Sequence, residues 1–172
     1  MTIRKVGQVT GAIFELGAGD RLHLRGPYGN PFPLADFAGN HTFVAAGGTG
    51  LAPVRGLIQS LLATLGKAGG PSGLVLLAGF KTPGDMLFAA DLQAWSKQTS
   101  VLLTVDRAAP GWNGHEGVIT TLIPGLEIAD IARTRAVVVG PPMMLKYTVA
   151  TFLDRGLAPE QIWVSQIGRA HV

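Results

Sequence analysis

From residue 42 onward, short unbroken apolar runs alternate with longer stretches in which apolar residues recur every three or four positions. The short runs at residues 42–46, 74–78, 101–105, 136–139 and 162–164 predict five strands. The longer stretches at 50–65, 85–95 and 143–155 predict helices, with a shorter one at 118–123. Residues 67–73 read as a glycine-rich surface loop and 106–115 as an irregular one. Because the strand runs are continuous and not alternating, they suit parallel strands covered on both faces. Right-handed crossovers then leave a doubly wound α/β fold, a five-stranded parallel sheet, as the expected architecture.

Residues 1–37 follow another rule. Short pieces, among them the alternating Arg21-Leu22-His23-Leu24-Arg25, read as strands separated by turns such as Gly17-Ala18-Gly19-Asp20. Three or four such pieces cannot close a sheet, so this segment is expected to need partners. The expected division is 1–37, 38–166 and a terminal hexapeptide, 167–172.

Composition narrows the chemistry. Hydrophobic residues make up 47% and charged residues 15% of 172 positions, which argues for a compact fold and against disorder. The formal charge of +3 is carried by scattered basic residues with no aromatic interleaving, so nucleic-acid binding is not expected. With no cysteine, this chain alone can hold neither an iron–sulfur cluster nor a thiolate zinc. His23, His41, His115 and His171 lack ligand spacing. No apolar run is long enough to span a membrane and no signal peptide is visible, so the cytoplasm is the expected compartment.

The candidate chemistry lies where the first long strand ends. Gly47-Gly48-Thr49-Gly50 leads straight into the helix, with Pro53 in its first turn. Glycines let the backbone approach a ligand, and the unpaired N–H groups of a first helical turn point at a phosphate. Proline is tolerated there because its missing N–H costs nothing. In a doubly wound sheet, ligands bind beyond the carboxyl ends of the strands. The segment Gly79-Phe80-Lys81-Thr82, the pair Asp106-Arg107, and Gly140-Pro141-Pro142-Met143-Met144 fall at that same edge.

Three motifs, Arg25-Gly26-Pro27-Tyr28-Gly29, Ala46-Gly47-Gly48-Thr49-Gly50-Leu51-Ala52-Pro53 and Gly140-Pro141-Pro142-Met143-Met144, resemble those of the ferredoxin–NADP reductase family, in its order and at its separations. These are two-domain flavoproteins that exchange hydride between a nicotinamide dinucleotide and FAD. The stretch Thr104-Val105-Asp106-Arg107, with Trp112 and Gly117-Val118-Ile119-Thr120, looks especially like the branch of anaerobic sulfite reductases and sulfhydrogenase gamma subunits.

The resemblance implies that Gly47, Gly48, Thr49 and Gly50, with Pro53, receive the NAD(P) pyrophosphate. It also implies that Gly140, Pro141, Pro142 and Met144 lie beside the nicotinamide. Family members often carry cysteine just before that glycine, where Val139 stands here. Gly7, Val9 and Thr10 correspond to the turn that binds the FAD pyrophosphate. Asp106 would face the adenosine end, where a carboxylate accepts from a ribose 2′-hydroxyl and repels a 2′-phosphate, so NAD(H) is favoured over NADP(H). Arg107 could act in the opposite sense, or the two could form a turn ion pair.

Two departures matter. The family's flavin domain opens with an Arg-x-Tyr-Ser/Thr motif that is absent here, so residues 1–37 are expected to be the C-terminal remnant of a β-barrel flavin domain and to hold FAD poorly. In the sulfite-reductase-like branch a cysteine-rich segment for a [2Fe–2S] cluster follows the last strand. Here Ile167-Gly168-Arg169-Ala170-His171-Val172 follows, which matches a sequencing adapter read in one frame and is expected to be a non-native tail.

The leading expectation is the NAD(P)H-binding part of a flavin-dependent electron-transfer subunit that passes electrons to an iron–sulfur partner and is inactive as this fragment alone. No general acid or base is expected, and Asp85, Asp91 and Glu116 are read as helix-start or surface carboxylates. The alternative is a regulatory or structural nucleotide-binding module without redox activity. A phosphate-binding hydrolase fares worse, with no Gly-Lys-Ser/Thr after the turn and no Gly-x-Ser-x-Gly.

Overall fold

Six parallel strands, not five, form the central sheet of the computed structural model, which describes residues 2–26 and 28–166. Pro27 of the Arg25 to Gly29 motif and the hexapeptide at 167–172 lie outside the described residues. The strands are β1 (His41–Gly47), β2 (Gly73–Phe80), β3 (Ser100–Val105), β4 (His115–Glu116), β5 (Thr134–Gly140) and β6 (Ile162–Gln166). Their spatial order is β4-β3-β2-β1-β5-β6. The added strand, β4, has two residues and pairs with Thr104 and Val105. Two residues are too few for a periodicity to show, which is why the sequence reads them as loop.

The chain divides into two units, Met1–Pro31 and Phe32–Val172. The boundary falls before residue 37 because Phe37 is fully buried in the core of the second unit. Within the first unit, the expected strands are replaced by one short helix, α1 (Gln8–Ile13), and none of its described residues is in a strand. The alternation at 21–25 has no neighbouring strand to pair with, and an unpaired ladder leaves its backbone groups to water. The turn at 17–20 forms as expected, with the Gly17 amide donating to Asp20 Oδ2 at 2.7 Å. Val6, Val9, Phe14, Leu24 and Tyr28 are exposed.

In the second unit the sheet is covered on both faces, as continuous apolar strands require. Val44 and Ala46 of β1 face α2 (Leu51–Thr64) and α3 (Ala89–Trp95), in a core with Leu57, Leu61 and Trp95. Phe43 and Ala45 face α4 (Pro142–Asp154) and the 3-10 turn Ile119–Gly125, in a core with Ile123 and Phe152. Helix α2 buries Leu51, Val54, Leu57, Ile58 and Leu61, the stripe a 3.6-residue period produces. It ends where Leu65 leaves helical angles and Gly66 turns left-handed, with Lys67 Nζ donating to the Ala63 carbonyl at 2.9 Å.

Helix α3 starts four residues later than its apolar spacing predicts. Residues Pro83–Asp85 form a separate 3-10 turn, and Phe88 sits in the left-handed region at φ 56°. A left-handed residue cannot continue a right-handed helix, so the helix begins only after it.

Candidate functional site

Register places three glycines side by side at the carboxyl edge of the sheet. Gly79 of β2 pairs with Gly47 of β1, and the step before Gly47, Ala46, pairs with Val139 of β5, the residue before Gly140. The strand order reverses between β2 and β5 at β1, the position at which doubly wound sheets open a crevice.

These glycines do not all serve the same purpose. A methyl group on either Gly47 or Gly140 would run into Met144 Sδ of α4, so their bareness lets α4 close onto the sheet. Gly50 is buried against β5, where a Cβ would lie 3.3 Å from Gly140 Cα and closer still to the Val139 carbonyl. Gly48 is different. It is left-handed at φ 54°, and a Cβ there would meet no protein atom within 4 Å. Thr49 and Pro53 are exposed beside it. Of the glycine turn, Gly48 and Thr49 therefore present themselves outward, whereas Gly47 lies under Met144 of α4 and Gly50 against β5.

Residues Gly48–Gly50 form a 3-10 turn that runs into α2, whose N-terminus has no side-chain cap and no acidic residue in its first turn. The same holds for α4, which begins at Pro142 after Pro141. Two helix N-termini thus meet the crevice without an internal anion, and both carry partial positive charge. The prolines add no donor but fix the first turn. Pro141, Pro142 and Met143 are exposed, and Met144 is half-buried with its sulfur over the glycine pair.

Asp106 and Arg107 extend the edge beyond β3. Their amides donate to the Phe80 and Lys81 carbonyls at 3.0 and 3.1 Å, which splices the loop after β3 to the one after β2. Both side chains are exposed, and among the described residues the one ion pair within 4.0 Å is Arg55–Asp91, so Asp106 and Arg107 do not pair with each other. The following loop is closed by Trp112 Nε1 donating to the His115 carbonyl at 2.9 Å and by Ala108 N donating to Glu116 Oε1 at 3.3 Å. Glu116 thus closes a loop, and Asp85 accepts from Thr82 Oγ1 at 2.7 Å.

Asp91 has a larger part than its sequence position suggests. Arg55 of α2 donates to both of its oxygens, Nε at 2.6 Å and Nη2 at 3.3 Å, and lies 5.1 Å from the Phe88 ring centroid. The Asp91 carboxylate raises the Arg55 pKa above its ordinary value. Nothing local in the sequence marks Arg55, since its partner is 36 residues away.

In the first unit, Gly7 precedes α1. Thr10 Oγ1 accepts from the amides of Val6 and Gly7, at 2.9 and 3.0 Å, and donates to the Gly7 carbonyl. The hydroxyl at this helix start is thereby engaged by its own turn, while Val9 is exposed. Among the described residues no cluster of histidine, aspartate and glutamate could hold a metal ion. No helix of the described residues is long and apolar enough to cross a membrane.

Comparison with known proteins places this crevice in context. The family described as oxidoreductase NAD-binding domain matches residues 44–150, which include both the glycine turn and Gly140 to Met144. The gamma subunit of sulfhydrogenase 2 from Pyrococcus furiosus is 31% identical over 182 residues, covering 96% of this chain and 60% of that protein. The chain thus spans well under two thirds of that relative's length. The cytochrome b5 reductase domain of Ulva prolifera nitrate reductase superposes with a TM-score of 0.75 at 24% identity, covering 92% of this chain and 64% of the other. A ferredoxin NADP+ reductase from Neisseria gonorrhoeae, solved with FAD and NADP, superposes at 0.76 with 21% identity, covering 95% of this chain and 71% of the other.

Proposed function

The chain belongs to the oxidoreductase NAD-binding domain family, related to ferredoxin–NADP reductase-like proteins, and on that premise we propose that it is the nicotinamide-dinucleotide-binding part of a flavin-dependent electron-transfer subunit. The observation that carries this reading is the open, left-handed Gly48 between a switch-point strand and an uncapped helix. A diphosphate set there meets backbone N–H groups and the positive end of α2 with no side chain in its way.

In this reading Gly48 and Thr49 contact the pyrophosphate, while Gly47, Gly50 and Pro53 shape the turn that presents them. Pro141, Pro142 and Met144 form the wall for the nicotinamide, with Gly140 giving Met144 its seat. Asp106 accepts from the adenosine ribose. Its carboxylate is exposed and unpaired, which supports NAD(H) over NADP(H), and Arg107 points no ion pair at it. When bound, the nicotinamide supplies the hydride; this chain's residues bind and orient it and supply no acid or base.

Residues 1–31 would then belong to a flavin domain, with Gly7, Val9 and Thr10 near the FAD pyrophosphate. The exposed Val6, Phe14, Leu24 and Tyr28 support a covering by further polypeptide of the full-length protein. FAD and any [2Fe–2S] cluster belong to that longer protein, as does an iron–sulfur partner; the chain itself has no cysteine. We place the protein in the cytoplasm on the same reading.

Calorimetric titration with NADH and NADPH tests the proposal. NADH binding with NADPH weaker is expected, and binding of neither to a folded sample overturns it. NADH binding without NADH oxidation by the full-length protein would instead favour a nucleotide-binding module lacking redox chemistry.

A further inference from the structure

Residues 81–88, between β2 and α3, carry Lys81 and Thr82 at the carboxyl edge, and end on a residue whose backbone is in the left-handed region. Phe88 is the one non-glycine residue with positive φ among those described. A bulky side chain persists in that conformation only where its surroundings over-determine it. The surroundings here are the apolar core, against which Phe88 packs, and Arg55, whose guanidinium lies against the Phe88 ring while both its Nε and Nη2 donate to Asp91 in the first turn of α3.

Arg55 is itself one turn from the glycine bend, on the helix whose N-terminus faces the diphosphate. It therefore links α2 to residues 81–88 and the start of α3, which share one face of the sheet with it. We propose that Arg55 is a positioning residue for the adenosine end of the nucleotide, fixing residues 81–88 through Asp91 and Phe88.

The link continues across the edge. The Lys81 carbonyl accepts from the Arg107 amide, so residues 81–88 meet the loop after β3 at Arg107, while the neighbouring Asp106 amide is held by Phe80 at the end of β2. In this proposal, removing Arg55 loosens Phe88 and the connection back to Lys81, and with it the hold that the Lys81 carbonyl has on the Arg107 amide. The glycine turn does not depend on this path, because Gly50 rests on Val139 and Gly140 and Gly47 on Met144. Lysine cannot replace arginine here. It offers a point charge without the planar fork that meets both Asp91 oxygens and stacks on Phe88.

This inference rests on the dinucleotide reading above. Two probes separate the two ends: 5′-AMP for the adenosine side and inorganic pyrophosphate for the glycine turn. Each is titrated calorimetrically into the whole chain, well below its melting temperature, as wild type, Arg55→Met, Arg55→Lys and Asp91→Asn. The expected result is about tenfold weaker 5′-AMP binding in all three variants, with pyrophosphate binding within twofold of wild type. Should Arg55→Met fail to fold, Asp91→Asn, nearly isosteric with the native residue, carries the same comparison. Equal losses for both probes would make Arg55 a purely structural residue and overturn the proposal, as would unchanged 5′-AMP affinity. Wild-type protein that binds neither probe overturns the dinucleotide reading, and this inference with it.

Discussion

Met144 Sδ occupies the space that a side chain on Gly47 would need, so helix α4 closes on strand β1 through a glycine and a thioether. The same sulfur fills the corresponding space at Gly140. Both glycines therefore leave room for the flexible end of Met144 before any ligand enters. Gly47→Ala is expected to destabilise the protein by about 1 kcal/mol, the low end of overpacking costs, since the atom it meets is the end of a flexible thioether. In a Met144→Ala background the same substitution is expected to cost much less. Urea denaturation of the four proteins of this cycle measures the coupling, and additive effects would show that the contact is not what holds Gly47.

Gly48 tests the opposite case, an open glycine. Its left-handed backbone makes Gly48→Ala cost about 1–2 kcal/mol of stability. On the proposed reading the same variant is expected to lose NADH affinity, because the added methyl would stand where the diphosphate approaches. Gly48→Val adds β-branching to a left-handed position and so is expected to weaken fold and binding together. Calorimetry on the folded Gly48→Ala protein separates the two effects, and full NADH affinity would place the ligand elsewhere.

On the proposed reading, Asp106→Ala removes the acceptor for a ribose hydroxyl and the repulsion of a 2′-phosphate. A hydrogen bond to a charged group contributes about 1.5–3 kcal/mol, so the NADH-to-NADPH affinity ratio is expected to fall by roughly tenfold or more. Stability should change little, since the side chain is exposed. An unchanged ratio would remove Asp106 from the adenosine site.

At the opposite, amino edge of the sheet, His41 stands edge-on to Phe43 with ring centroids 4.8 Å apart. Burial lowers its pKa below the ordinary imidazole value, against a smaller raising influence from Glu127. These groups line a hollow of about 600 Å³ with Asp130 and Arg133. A depressed folded-state pKa means that the unfolded chain takes up the proton first as pH falls. The His41 contribution is thus fully present above about pH 6.5 and is lost as pH drops through the folded value. Stability measured between pH 7.5 and 5 should decline, and His41→Phe should flatten that decline. An unaltered slope in the variant would assign it to other groups.

The sheet was legible because its physics is local. Residues 42–46 and 136–139 are unbroken apolar runs, and a strand buried on both faces needs nothing else to declare itself. The helix after Gly50 declared itself by its stripe of Leu51, Val54, Leu57 and Leu61. What stayed hidden depends on distant partners. The alternation at 21–25 resembles a half-buried strand, yet a strand exists only beside another. The delayed start of α3 follows from the Phe88 backbone, and the Arg55 that lies against its ring stands 33 positions earlier in the chain. The glycine turn was visible as a unit, but its division into packing glycines and one open glycine required Met144 and Val139 in place.

Amide-resolved NMR of the ¹⁵N-labelled chain, titrated with ADP-ribose, addresses the diphosphate site itself. Shifts concentrated at Gly48, Thr49, Gly50 and Ala52, with Asp106 following and His41 and Ser100 at the amino edge unmoved, are expected. Saturable shifts confined to the amino edge, or none while the fold is intact, would contradict a phosphate-receiving bend at the end of β1.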